Sequence, residues 1–426
     1  MRKQLLVYFC IILSILLLFP IKSTAAKRVQ TVQDPIILVI DPGHGGENNG
    51  TTENGFLEKD MNFTTAKALV EELSQFEGIE IYLTRNEDVD LTLKDRAKVA
   101  ESYHADFLIS LHYNASESHL LYGSEVWISL LPEYHAQGYQ LATCFLREFR
   151  EMGLILRGIK TKRHSNGKDY YGVIRESTGL GIPAIIVEHC HVDHHNDNSF
   201  CDSEEELIAF GKADAHAIAK YFGLKSSSLG IDYSAEAENL PEVTMGELVP
   251  RATQDASIPL QCSITLKEAL YDQDQVTLEI RACDPDTNLI YYAYSLDGGK
   301  TFCEDLPWPE GDLLTGVFTG ELEITLDIPD GTKPEICFRV TNPYDLQRVS
   351  NVLTFEKAFQ KPEEKVEETF PEPSEPAAAE STVTRQNELL TQIISILQIA
   401  ILAVAILLIL FFFLYLIREG KNKRQK

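Results

Sequence analysis

The first half of the chain is predicted to form an α/β domain, a mostly parallel sheet with helices on both faces, and three observations predict it. Short apolar runs alternate with amphipathic stretches from Ile36 to Gly223. The amphipathic stretches carry apolar residues at helical spacing over more than two turns, whereas the runs between them are only four or five residues long. The first run, Ile36-Ile37-Leu38-Val39-Ile40, passes straight into Asp41-Pro42-Gly43-His44-Gly45-Gly46. A buried strand ending in glycines is the entry to a ligand site at the carboxyl edge of such a sheet.

Each element follows from its own residues. Strands are expected at 36–40, 79–83, 107–111, 124–128 and 184–187, where β-branched and apolar residues concentrate. Helices are expected at 60–76, 92–103, 137–152 and 204–221. Thr92 followed by Asp95 resembles a capping box, with Asp in the place usually held by Glu. Strands alternating with helices give a parallel sheet covered on both sides.

Beyond residue 225 the composition changes twice. Residues 225–257 are polar with little period and read as a linker. Residues 258–356 alternate apolar with polar in short stretches separated by turn signals such as Asp297-Gly298-Gly299 and Pro329-Asp330-Gly331. This pattern predicts a small antiparallel β-sandwich, Ig-like, acting as a spacer or binding module. Residues 357–392 are rich in Pro, Glu, Ala, Ser and Thr and are expected to be a disordered linker.

The two ends point to a membrane. Met1-Arg2-Lys3, an apolar run from Leu5 to Phe19 and small residues up to Ala26 describe a secretory signal peptide over 1–26. Residues 393–417 carry only Ser395 and Gln398 as polar breaks, long enough for one transmembrane helix. Arg418, Lys421, Lys423, Arg424 and Lys426 follow in a basic tail, 418–426, which belongs on the cytoplasmic side. Everything before the span is then extracytoplasmic. With 38 basic against 64 acidic residues the formal charge is −26, which argues against a nucleic-acid partner. Of eight cysteines one leaves with the signal, and the remaining seven are either partly paired in the sandwich or free thiols. Oligomeric state is not legible.

The chemistry gathers at strand ends. His44 follows the first strand, His112 ends the third within Ser110-Leu111-His112-Tyr113-Asn114-Ala115, and Glu58 enters the next helix in Leu57-Glu58-Lys59-Asp60. One histidine after a strand is as a rule structural. Two at equivalent strand ends, with a carboxylate entering a helix, are a common ligand set for a catalytic zinc ion, Zn2+. Glu188 closes the strand 182–187, where a carboxylate is costly unless it has a role. Beside a metal-activated water that role is to carry the proton.

These stretches, together with Leu83-Thr84-Arg85 and Val187-Glu188, resemble the successive motifs of the zinc-dependent N-acetylmuramoyl-L-alanine amidases, in one colinear order over about Ile36 to Phe222. The resemblance implies a zinc amidase catalytic domain over 34–224, with His44, Glu58 and His112 as ligands and Glu188 as general base. It implies peptidoglycan as substrate, cut between the lactyl group of N-acetylmuramic acid and the L-alanine of the stem peptide. Asn114 and Arg175 are the expected substrate contacts, and Asp41 is expected to orient His44 or its turn. Arg85 and Arg96 are expected to pair within the scaffold. One departure is plain: the family usually follows the glutamate with Gly-Phe, whereas here Glu188 precedes His189-Cys190-His191 and then His194-His195. Those residues form either a polar loop lining the cleft or a second metal site. The alternatives in function are a catalytically impaired wall-binding protein and a zinc carboxypeptidase of similar fold.

Overall fold

A computed structural model of the protein describes residues 35–240 and 257–361, apart from 286, 310, 313–316 and 319. The expected signal peptide, transmembrane helix and basic tail lie outside the described residues, as do 241–256 and most of the acidic linker.

The first domain is built on a six-stranded sheet in the order β2-β1-β3-β6-β4-β5. Its strands are β1 (Ile36–Pro42), β2 (Ile79–Leu83), β3 (Phe107–Asn114), β4 (Ser124–Ile128), β5 (Leu156–Lys160) and β6 (Ala184–His191). The pairs β1–β2, β1–β3 and β3–β6 are parallel, β4 runs antiparallel to β6, and β5 is parallel to β4. The carboxyl ends of β1, β2, β3 and β6 therefore share one edge, and the start of β4 meets them there.

Six helices complete this domain up to residue 222: α1 (Glu58–Leu73), α2 (Leu93–Ser102), α3 (Pro132–Met152), α4 (Gly172–Gly179), the short α5 (His195–Asn198) and α6 (Glu204–Phe222). Because side chains alternate along a strand, β1 sends Leu38 and Ile40 to one face and Val39 to the other. The first face packs with Leu69 of α1, Phe145 and Phe149 of α3 and Phe210 of α6. The second packs with Ala100 of α2 and Val173 and Ile174 of α4. Each large apolar side chain so buried stabilises the fold by about 1.5–3 kcal/mol. The helix ends are capped as their residues dictate. Thr92 accepts the Asp95 N–H at 3.1 Å, and Ser203 accepts that of Glu206 at 3.2 Å.

Two boundaries differ from expectation. The stretch 225–240, expected as linker, folds onto the first domain as a two-strand pair, β7 (Lys225–Ser226) and β8 (Ile231–Asp232), and helix α7 (Ser234–Glu238). Its apolar residues Leu229, Ile231, Tyr233 and Leu240 join the main core, but they are too irregularly spaced to show a period. Phe359, placed by sequence in the disordered linker, is fully buried in the second domain.

That second domain has two antiparallel sheets facing each other. One is β9 (Gln261–Leu270), β10 (Gln275–Cys283) and β15 (Glu321–Asp327). The other is β11 (Tyr291–Ser295), β12 (Leu306–Pro307), β16 (Glu335–Thr341), β17 (Gln347–Val349) and β18 (Leu353–Thr354). A short hairpin, β13 (Gly311–Asp312) with β14 (Val317–Phe318), interrupts the order. Val276, Leu278 and Ile280 of one sheet meet Ile336, Phe338 and Val340 of the other. The seven cysteines in the described residues are all free thiols.

The two domains touch. Tyr122 and Tyr291 lie ring against ring at 4.9 Å, the Tyr291 hydroxyl donates to the Tyr122 carbonyl, and the Tyr122 hydroxyl donates to that of Asp305 at 2.9 Å.

Candidate active site

His44 stands just past the end of β1 with φ at +60°. A left-handed backbone at a non-glycine residue costs on the order of 1–3 kcal/mol and persists only where its surroundings over-determine it. Here Gly45 and Asn48 bridge at 2.9 Å, and Arg96 donates to the His44 carbonyl at 2.8 Å. Gly43 passes so close to His112 that a Cβ on it would lie 2.3 Å from the ring. Only glycine fits there.

Glu58 is the first residue of α1, where the helix dipole favours a negative charge. It is buried, and its Oε2 accepts the Thr51 N–H at 2.8 Å. Its Oε1 lies 3.1 Å from His44 Nε2 and 2.9 Å from His112 Nδ1. Burial pushes this carboxyl up, but hydrogen bonds and charge from His112 and His44 overcome that and hold it well below the usual carboxylate range. The three ligand atoms all lie within 4.8 Å of one another.

The outer nitrogens of both rings are also placed. His44 Nδ1 is 2.9 Å from Asn48 Oδ1, and His112 Nε2 is 3.2 Å from Ser110 Oγ. With an N–H turned outward to each acceptor, His44 Nε2 and His112 Nδ1 keep lone pairs facing Glu58. That is the donor set a zinc ion takes, two imidazoles and a carboxylate with their outer partners in place. The residues fit the ion.

Asp41 braces the turn, one of the two expected duties, through Arg96, which donates to the carbonyls of Pro42 and His44. It does not reach His44; it accepts from Thr84 at 2.5 Å, Arg96 at 2.6 Å and Ser110 at 2.7 Å. Its hold on the ligands therefore runs through Ser110 to His112, on the same face of β3. Arg85 and Arg96 are both buried and donate to the turn carbonyls of Pro42, with Arg85 reaching that of Gly43 as well.

Glu188 pairs in register with His112 across β3 and β6, and with Glu125 across β6 and β4. Neighbours in register send their side chains to one face, so the half-buried Glu188 carboxylate stands beside the ligand cluster. It makes no side-chain hydrogen bond or ion pair among the described residues. Burial, then the negative charges of Glu58 and Glu125, push it well above the ordinary range, partly offset by Lys160.

Asn114 donates to Glu125 at 3.4 Å and accepts from the N–H of Ala115. Arg175 uses Nη1 on the carbonyls of Asp169 and Tyr170, which ties it to the loop before α4. The histidines after Glu188 are committed elsewhere. His189 bonds the His112 carbonyl at 2.8 Å and Asp214 at 2.9 Å, in full burial, and stacks on Tyr113 at 4.8 Å. His191 Nδ1 bonds the Gly123 carbonyl. His194, His195 and Glu304 do converge. But His194 Nδ1 accepts the Asn196 N–H, so the neutral ring carries its proton on Nε2, the atom facing Glu304. No lone pair is left there for an ion. The residues that replace Gly-Phe after Glu188 are thus structural.

Sequence reasoning missed the charged group behind Glu188. Glu125 is buried and binds Arg157 at 2.8 Å and Lys160 at 2.6 Å. All three sit in short strands, and the charges of Arg157 and Lys160 hid β5 from a search for apolar runs.

Among known proteins, the family profile described as N-acetylmuramoyl-L-alanine amidase matches residues 38–220. A Buchnera aphidicola protein assigned as an N-acetylmuramoyl-L-alanine amidase is 34% identical over 218 residues, covering 44% of this chain and 96% of its own. The sporulation-specific N-acetylmuramoyl-L-alanine amidase of Bacillus subtilis is 28% identical, covering 51% of this chain and 78% of its own. The solved catalytic domain of CwlV from Paenibacillus polymyxa is 28% identical with a TM-score of 0.39, covering 45% of this chain and 99% of its own. On its profile match and its identity to a relative covered almost end to end, the chain belongs to the N-acetylmuramoyl-L-alanine amidase family.

Proposed function

We propose that this chain is a zinc-dependent peptidoglycan hydrolase, cutting the amide between the lactyl group of N-acetylmuramic acid and the L-alanine of the stem peptide. The observation that carries this reading is the convergence of His44, Glu58 and His112 within 4.8 Å, with Glu188 in register beside His112. A zinc ion held by those three side chains supplies Lewis-acid polarisation of the amide carbonyl and of the attacking water. Glu188 accepts the proton of that water as the new C–O bond forms. It then delivers the proton to the amide nitrogen as the C–N bond breaks. The products are the lactyl carboxylate and the free amine of L-alanine. The absence of a fixed partner suits Glu188 to this duty, because its carboxylate is free to bind and release a proton.

We place the enzyme on the extracytoplasmic face, held by one membrane span. The apolar run 393–417 with its basic tail supports this, and so does the signal-like start. Among the described residues no helix is long and apolar enough to cross a membrane, and the run lies outside them. The test digests purified cell wall with the full chain. Free stem peptides with a new L-alanine amine are expected, activity lost to a chelator and restored by zinc, and no turnover by Glu188→Ala with its zinc intact. Single released amino acids would make the protein a carboxypeptidase. Wall binding without any cleavage by the zinc-loaded parent would make it a binding protein.

A further inference from the structure

The second domain reaches the face of the sheet on which Glu188 stands. Its turn between β16 and β17 carries Asn342, Tyr344 and Asp345. Asp345, at φ +63°, binds Arg157 at 2.7 Å, and Arg157 is only 1% exposed. Arg157 binds Glu125 through Nε on its other side, and the Lys160 ammonium completes the group. Two carboxylates and two cations are thereby balanced, one carboxylate coming from 188 residues away. Tyr344 fixes the same place by a second route. Its hydroxyl accepts the Thr161 N–H at 3.2 Å, just past Lys160, and its ring meets Trp127 edge-on at 6.4 Å. Trp127 in turn donates its indole N–H to Glu125 at 3.0 Å.

We propose that the second domain is a working part of the catalytic unit, its turn 342–346 positioning Glu125 against Glu188 through Asp345 and Tyr344. This rests on the reading of Glu188 as the proton carrier. Glu125 lies directly opposite Glu188 across the β4–β6 pair and also receives Asn114. Arg157 already has one buried nitrogen, Nη1, without a partner. Without Asp345 its Nη2 joins it, and a guanidinium with two unsatisfied nitrogens either turns outward or draws in water. Glu125 then keeps Lys160 and Trp127 but loses Arg157, the partner that the second domain holds in place. Asp345 and Glu125 are positioning residues, and the domain that bears Asp345 is no mere spacer.

The experiment uses the full, zinc-loaded chain in detergent and a soluble muropeptide, with kcat and KM measured separately. Asp345→Gly removes the acceptor and its charge while suiting the left-handed backbone. A misplacement of about 1 Å costs on the order of a hundredfold in rate, and a partial shift about tenfold. The expected result is a roughly tenfold lower kcat, KM within about twofold and unchanged zinc content. Adding Asp345→Gly to Glu125→Gln is expected to lower kcat no further than Glu125→Gln alone, since both act through one link. A variant that is less stable but turns over at the parent kcat would overturn the proposal, and so would full additivity with Glu125→Gln. Should Asp345→Gly fail to fold, Tyr344→Phe keeps the ring and loses only the hydroxyl; a kcat equal to the parent's there also overturns it. Glu188→Gln, assayed alongside, separates the two readings: parent-like kcat in that variant removes the base whatever Asp345 does.

Discussion

Ser110→Ala isolates the chain of hydrogen bonds that fixes the metal-facing nitrogen of His112. In the parent, Ser110 is fully buried and donates to Asp41 Oδ2 at 2.7 Å, which leaves its oxygen lone pair to accept the His112 Nε2 proton at 3.2 Å. Asp41 stays ionised for this task. Burial raises its carboxyl, but Arg96, Thr84 and Ser110 together bring it below the ordinary value. Removing the hydroxyl withdraws the acceptor that selects the Nε2–H tautomer, while Gly43 still packs against the ring. Loss of such an outer partner weakens a metal about 10- to 100-fold, or about 1.4–2.7 kcal/mol. Asp41 keeps its other two donors, so the cost to folding is about 1 kcal/mol. Competition with a chromogenic chelator reads the affinity and urea denaturation of the zinc-free chain reads the stability. A zinc affinity within twofold of the parent in the folded variant would refute the tautomer argument.

Four further outcomes follow from the geometry. Glu58→Gln is expected to lose zinc and activity together, measured as bound metal per chain, whereas Glu188→Gln keeps the metal. Gly43→Ala and Gly50→Ala force a Cβ within 2.3 Å of the His112 ring and of the Glu58 carboxylate respectively, so each is expected to lower zinc occupancy as measured by elemental analysis. Asp214→Ala leaves His189 Nε2 without its partner in full burial and costs about 1–3 kcal/mol in a denaturant titration. Burial lowers His191 to about 4, so its contribution is present above 6.5 and lost as pH falls toward 4; burial raises Asp197 to about 6, so its contribution is present below 3.8 and lost as pH rises through 6. The two oppose, so their joint contribution is expected to be nearly flat between pH 4 and 6, and His191→Asn is expected to lose stability relative to the parent as pH rises through that window, read by urea denaturation of both proteins.

How much of this was legible follows from how local each signal is. The apolar runs of β1, β3 and β6 end in the residues that hold the site, and a strand that stops in Gly-His-Gly needs nothing distant to be recognised. Helix α2 was readable to within one residue at each end, because Thr92 and Asp95 make their cap within one turn. Helix α3 starts five residues earlier than its periodicity suggested, at Pro132, where proline suits the first turn of a helix. The reversal of β4 could not be read, since strand direction is set by partners and not by the strand's own residues. Strand β5 was hidden for the opposite reason to most misses. Its Arg157 and Lys160 look like surface residues, and only Glu125, 32 and 35 residues away, makes them core. The turn carrying Tyr344 and Asp345 is further still, and no local pattern announces a pairing of that range.

The site also shows why two glutamates within one cleft take different duties. Glu58 begins a helix, receives a backbone N–H and lies against two imidazoles, so its charged form is favoured from every side. Glu188 follows the apolar run of β6, faces the negative charges of Glu58 and Glu125, and holds no donor among the described residues. The first environment suits the fixed ligand and the second the proton carrier that we propose, from the same side chain. Lys160 and Arg157 sit behind Glu125, where they temper the repulsion that three carboxylates would otherwise exert on one another. That balance is completed from the second domain, which is why the amidase site cannot be understood from the residues of the first domain alone.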